Sequence, residues 1–365
     1  MASDGATPAG VGPEASPIAR GGLPDWLVRT ITALIPVVAA LLAGAVVLLL
    51  MGRDPVAFYV NVLNRGLFSW LGLQETITRC APLLLLGASL IVAFRAGLWN
   101  LGVDGQFLLA AVIAAALAPV LITVLPVWAT LSATMVVAFA VGAVWSLIPA
   151  LLKAYHGVNE IVTTLMMSFL GISFANVLIK IPFNDPETTV PQTLTLATTN
   201  RLPRLFDTTI NFGIVIALVA ILLVHWVMTR TAFGLRLQVV GANPRAAMHA
   251  GLSVPMLTVL TFGLSAGLAG LAGAVEILGV WGNVRADWDP AYGLTIIPLV
   301  FLARFNGPAV IGFTFFFAIL SIGGESASRR ADLPNYFILV LVALILVFMA
   351  LTEWLGHRRG LARKA

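Results

Sequence analysis

The sequence predicts an all-α fold, a polytopic transmembrane helical bundle of about ten spans. Three observations predict it. Of the 365 residues, 59% are hydrophobic and only 10% are charged, whereas a soluble domain carries roughly 25% charged residues. The apolar runs are long and continuous, as in LIPVVAALLAGAVVLLLM at 34–51. Hydrocarbon offers backbone groups no partner, so only helices or closed barrels span it. A barrel would show short strands of strict apolar–polar alternation, and these runs do not alternate.

The elements follow in order. Residues 1–25, rich in Ala, Gly and Pro, read as a disordered tail ahead of a membrane domain at 26–356. The first span, 30–51, is longer than a signal-peptide core and reads as a retained helix. Spans at 72–94 and 104–123 flank the polar, glycine-rich break FRAGLWNLGVDGQFLLAA (94–111). Spans at 126–150 and 160–181 precede a Thr- and Pro-rich loop, 182–209, which offers a short helix or a partner contact. The span at 210–229 leads into a second polar loop, 230–255. Beyond 256–280, the candidates at 291–304 and 308–324 are short and separated by Asn306, Gly307 and Pro308. They read as half-helices or a bent hairpin. A last span, 335–354, precedes the basic tail 357–365.

Ten spans put both termini on one side. With that side cytoplasmic, it receives twelve of the 21 Lys and Arg, including those of HRRGLARKA at the C-terminus. The positive-inside rule then places both ends in the cytoplasm of a cell (inner) membrane protein. Loop 182–209 becomes external and 230–255 cytoplasmic.

Several functions are excluded. The net charge of +5 reads as inner-leaflet anchoring, since no basic cluster with interleaved aromatics points to nucleic acid. Cys80, the single cysteine, allows no intrachain disulfide. The four histidines lack metal-ligand spacing. No Walker A loop exists, because Lys153, Lys180 and Lys364 are followed by Ala, Ile and Ala. No catalytic constellation shares adjoining helix faces, so the chain is not read as an enzyme and takes no cofactor of its own. ATP-driven transport would need an ATPase on another chain.

Five segments carry candidates. In VVGANPRAAMHAGL, Asn243 can cap a short helix with Pro244 at its first position. Gly241 and Ala242 precede it, and Arg245, Met248 and His249 lie near one face. Such a helix suits docking in another protein's groove or lies on the bilayer surface. In HGVNEIVTTLMMSF, Asn159, Glu160, Thr163, Thr164 and Met167 share one helix side. Glu160 is either a cavity-lining carboxylate or an interfacial partner of the helix dipole. Gly263, Gly267, Gly270 and Ala274 form a small-residue packing stripe. Glu276 in that span points into protein, as a structural carboxyl or a place on a solute path. In the break at 94–111, Trp99, Asn100, Asp104 and Gln106 either line a path or form a turn, with Arg95 an anchor and Asp104 a helix cap.

Together these segments resemble one family. FRAGLWNLGVDGQ resembles the FRxGxFNIGxEGQ motif of permease subunits of ABC importers, in the ribose and branched-chain amino acid permease superfamily. VNEIVTTLMM resembles its VNEVxxTLM, GANPRAAMHAGLS its coupling segment, and YGLTIIPLVFLARFNGPAVI (292–311) its YGFTAIAVALLGRxNPxGV. The four occur in family order over about 95–310. Trp99 stands for Phe and Asp104 for Glu, and Ala303 and Gly307 also depart from the pattern. The Asn159–Glu160 pair resembles the nucleoside and simple-sugar uptake subgroup. The resemblance implies a type II ABC-importer-like permease working by alternating access. It also implies a second permease subunit (in that subgroup a different chain), two cytoplasmic ATPases that bind the ATP, and an external solute-binding lipoprotein. The alternative is a proton- or sodium-coupled secondary transporter using Glu160 or Glu276.

Overall fold

The computed structural model describes residues 25–333, 337–341, 343–345, 347, 348, 351 and 352, the first nine as backbone only. The predicted tails at 1–25 and 357–365 lie outside these residues, except for Asp25. α1 (Asp25–Leu50) covers the first predicted span. Residues 52–71, read from sequence as a connection, instead build α2 (Pro55–Leu63) and a π turn (Asn64–Phe68). Asp54 caps α2 by accepting from the Val56 amide at 2.8 Å. The element is too short to span, and it packs on later helices that local sequence does not reveal.

α3 (Trp70–Arg95) is the central helix, and every residue from Cys80 to Ala93 is buried. From Cys80 to Ala93 its surface is apolar all round apart from Ser89, which suits a helix segment enclosed by others. α4 (Val103–Leu121), α7 (Glu160–Lys180) and α8 (Gly213–Arg230) match their predicted spans within three residues at each end. The span at 126–150 is two helices, α5 (Val127–Trp145) and α6 (Leu147–His156), joined at Ser146. Pro149 lacks the amide that would bond back to residue 145, which accounts for the break. α9 (Ala232–Ala242) and α10 (Pro244–His249) fill the predicted 230–255 loop. α11 (Val254–Glu276) ends in a π turn (Ile277–Trp281). α12 (Tyr292–Leu302) spans only 11 residues, and α13 (Gly307–Arg330) runs six residues beyond the predicted end at 324. The described residues of 335–354 are helical.

Seven helical segments among the described residues are long and apolar enough to cross a membrane. α11 packs against α3, α4 and α5, while α8, α12 and α13 close around α3. Small residues set the α11 contacts. An added Cβ at Gly270 would meet the Ala138 carbonyl, and one at Gly267 would meet the Phe139 ring. Ala274 is fully buried. Gly263 departs from the predicted stripe: a Cβ there meets nothing within 4 Å, so the close packing begins at Gly267.

The bundle has two ends. The basal end carries 95–97, α9, α10 and the α12–α13 turn. The apical end carries 181–212 and 282–286, laced together. Thr193 donates its amide to the Val284 carbonyl, Leu196 to Gly282, and Leu202 to Leu278, at 2.9–3.0 Å. The apical loop holds one 3-10 turn, Thr198–Asn200.

Candidate functional site

The chain between α3 and α4 is a re-entrant break rather than a surface turn. α3 ends at Arg95, whose guanidinium donates to the Phe305 carbonyl at 3.1 Å. Gly97 adopts φ +69, a left-handed conformation that favours glycine. Its position is crowded by Gly241 of α9, whose Cα would lie 2.9 Å from an added Cβ. Trp99 leaves the chain towards Phe94 and Phe301, with its ring 5.1 Å from Phe94 and 5.4 Å from Phe301. Asn100 and Gln106 are fully buried and pair through both amides, at 3.0 and 3.1 Å. Asn100 also donates to Ser265 Oγ at 3.0 Å, and Ser265 lies 3.0 Å from Ser89 Oγ. Ser89 is six residues from the basal end of α3, about 9 Å by helical rise. α4 therefore begins inside the bundle.

The same break docks on α7. Leu101 donates its amide to Thr164 Oγ1 at 3.2 Å, and Gly105 to Ser168 Oγ at 3.0 Å. Two of the sequence motifs thus form one packed unit. Asn159 caps α7 by accepting from Ile161 at 2.9 Å. Thr163 bonds back to the Asn159 carbonyl at 3.2 Å. Glu160 pairs with Lys153 at 2.7 Å. This carboxylate sits at the first turn of α7, where the helix dipole also favours it. The structure does not bring it to Glu276.

Asp104 caps neither its own helix nor a turn. Its Oδ1 accepts the Gly293 amide at 2.6 Å, in the first turn of α12. Eleven residues give α12 a length of about 16 Å, half of a ~30 Å hydrocarbon core. The chain 282–291 runs back into the bundle before α12 starts, with Trp288 6.0 Å from Phe107 of α4. The N-termini of α4 and α12 thus enter from opposite ends and meet at the Asp104–Gly293 bond. Discontinuous helices of this kind create solute sites in transporters, because their free backbone ends lie at membrane depth.

Beside that junction lies an ionic and aromatic cluster. Glu276 Oε1 accepts from Trp281 Nε1 at 3.0 Å and from the Tyr292 hydroxyl at 3.3 Å. The Arg79 guanidinium lies 5.6 Å from the centroid of the Tyr292 ring and 3.6 Å from Glu325 Oε1. Asp104 and Glu276 were legible in sequence as carboxyls in apolar spans. Arg79, Trp281, Tyr292 and Glu325 carry no comparable mark in the sequence. Arg79 offers a weak signal, since it lies within a predicted span but ends the polar stretch QETITR (74–79). Glu325 lay one residue beyond a predicted span and read as loop. A separate cleft of about 370 Å³ between α4, α5 and α7 is lined by apolar residues such as Leu109, Val141 and Phe174. It has no polar group to orient a solute.

The α10 expectation concerns the basal end. Asn243 Oδ1 accepts from the Arg245 and Ala246 amides, both at 3.1 Å, with Pro244 in the first turn. Ala247 faces the protein, whereas Arg245, Met248 and His249 are exposed. Gly241 is half-buried under residues 95–97, and Ala242 is exposed.

Comparison with known proteins places this geometry in context. A family described as "Branched-chain amino acid transport system / permease component" matches residues 72–349. A glucose ABC transporter permease protein of Haloferax volcanii is 33% identical over 94% of this chain and 93% of its own. A nucleoside ABC transporter permease protein of Lactococcus lactis is 28% identical, covering 88% and 91% respectively. A guanosine ABC transporter permease protein of Bacillus subtilis is also 28% identical, covering 87% and 92%. No solved structure matches the chain.

Proposed function

The chain belongs to the permease family of the branched-chain amino acid transport systems, and from that premise we propose that it carries a nucleoside or a simple sugar. As such a permease it is a multi-pass membrane subunit of an ABC importer. It is not itself an enzyme, and it works with ATPase and solute-binding subunits. The substrate reading is supported by relatives named for glucose, nucleosides and guanosine. The basal end faces the cytoplasm, and α9–α10 receives an ATPase. The apical lacing of 181–212 with 282–286 receives the solute-binding lipoprotein. Two ATPases and a second, different permease complete the importer.

The observation that carries this reading is the backbone contact between Gly97 and Gly241. Displacement of α9 by an ATPase reaches the break at 96–102 directly. The break ends on Asp104, which holds the first turn of α12. The nucleotide states of the ATPases then favour different arrangements of that junction, since a ligand drives a change only through its different affinities for two states. Trp99, Asn100 and Gln106 act as the rigid middle of this connection. Asn159, Glu160 and Thr163 fix the α7 end on which it rests.

Replacing both Arg245 and Met248 by Asp tests the docking assignment. Membrane insertion stays intact, while ATPase co-purification and uptake are abolished. Normal ATPase association by this double variant would remove α10 as the docking element. Uptake of labelled D-glucose and of guanosine by the full assembly, with and without ATP, tests the solute class.

A further inference from the structure

We propose that Arg79, Glu276, Trp281, Tyr292 and Glu325 form a solute-recognition station in the apical half of the bundle, built for an uncharged, hydroxyl-rich ring. The inference rests on the importer reading and adds the place and chemistry of recognition. Arg79 lies nine residues from the apical start of α3, about 13 Å by helical rise. Glu325 lies five residues before the apical end of α13, about 7 Å by helical rise, and Glu276 ends α11 just ahead of the five-residue π turn that reaches Trp281. All three therefore sit within membrane-spanning segments. Ionisable side chains at that depth face a bundle interior, a partner or an aqueous cavity rather than lipid.

Exposure is graded across the cluster. Glu276 and Tyr292 are buried, at 4% and 6% exposure, and form a floor. The side chains of Arg79 and Glu325 are 24% and 39% exposed, and Trp281 is 49% exposed. Trp281 stands edge-on to Trp288, with centroids 6.3 Å apart. Two aromatic rings, two carboxylates and one guanidinium are thus linked in one cluster, buried at Glu276 and Tyr292 and exposed towards Trp281 and Glu325.

That set selects a chemical class. Carboxylate oxygens accept from ring hydroxyls, and the guanidinium donates to hydroxyl or carbonyl oxygens. The indole of Trp281, locked at its nitrogen by Glu276, presents a face for the apolar side of a sugar or a base. A phosphorylated or carboxylate-bearing solute meets two carboxylates and one cation already facing Glu325, so charge balance disfavours it. The adjoining N-terminus of α12 offers an anion little, because Asp104 already occupies it.

The test uses the reconstituted assembly of this chain with its partner permease, ATPases and binding protein. Trp281→Ala and Glu325→Gln each lower ATP-dependent uptake of whichever probe is carried, D-glucose or guanosine, by about tenfold, the effect of losing one stacking or charged hydrogen-bonding partner. Trp281→Phe, which keeps a ring, retains at least about half of the uptake. All subunits co-purify with each variant. Uptake within about twofold of wild type in both severe variants overturns the station. Loss of the partner permease from either variant also overturns it, by making this face a subunit contact. A wild-type assembly that carries neither probe overturns the ligand class. Transport by wild type without ATP would instead sink the importer reading, and leaves the comparison among variants standing.

Discussion

Asn100 and Gln106 are two neutral side chains that the chain buries completely. Both side-chain amides are removed from solvent and satisfied on each other, on Ser265 and on the Gly102 amide at 3.1 Å. A buried polar group left without a partner costs about 1–3 kcal/mol. Gln106→Leu removes both the acceptor and the donor that face Asn100. The purified variant therefore melts roughly 2–10 °C lower. The double variant Asn100→Leu, Gln106→Leu is destabilised by less than the sum of the two singles, because contacting residues that lose a shared bond couple. Additive losses in such a cycle would mean that the amide pair does not form. The sequence shows two amides near glycines but not their pairing. They lie six residues apart on either side of a helix start, and only the re-entrant path of 96–102 folds one over the other.

Among the elements, glycine positions separate those that carry motion from those that only fill space. Gly97 combines φ +69 with an added-Cβ position 2.9 Å from Gly241. Gly97→Ala strains the backbone and pushes α9 away from the break. It lowers stability by at least about 1 kcal/mol and uncouples ATP hydrolysis from uptake, read as a fall in solute carried per ATP split. Unchanged coupling would remove the Gly97–Gly241 contact from the mechanism. Gly263→Ala is the opposite case. Its Cβ meets open space on a helix, so alanine stabilises by up to ~1 kcal/mol through helix propensity. Gly270→Ala collides with the Ala138 carbonyl and destabilises. Thermal midpoints in detergent order the three as Gly263→Ala above wild type and the other two below. The long spans were legible because hydrophobic runs report length, and the α10 cap because Asn-Pro fixes a helix start. The sequence did not disclose α2 or the kink at Ser146. Nor did it disclose which glycines are crowded, because those depend on partners remote in the chain: Asn61 on Arg330 at 3.1 Å, Val62 against Gly323 and Gly66 against Ile319.

For the whole molecule, the remaining question is which end faces the cytoplasm, and charge placement bears on it. Among the described residues, four of the five ion pairs join groups of the apical half: Arg53–Asp332, Arg65–Glu75, Arg79–Glu325 and Lys180–Asp287. The basal half has one, Lys153–Glu160. Basal Arg230, Arg236 and Arg245 and apical Arg204, Arg285 and Arg329 are all exposed without an ion pair among those residues, so pairing alone does not tell the ends apart. The positive-inside rule counts Lys and Arg near span ends and gives acidic partners little weight, and the twelve-to-nine split of the 21 in this sequence favours the basal end as the cytoplasmic one. The same orientation puts α10 on the ATPase side and the apical lacing on the solute side, so topology and mechanism stand together. Accessibility of introduced cysteines measures it, because Cys80 is buried and contributes little background to labelling. Thr199 and Ala246 are both exposed, one at each end. In intact cells, a membrane-impermeant maleimide labels Thr199→Cys without permeabilisation and Ala246→Cys only after it. The reverse pattern would invert the bundle, move α10 away from any cytoplasmic ATPase, and overturn the proposed coupling with it.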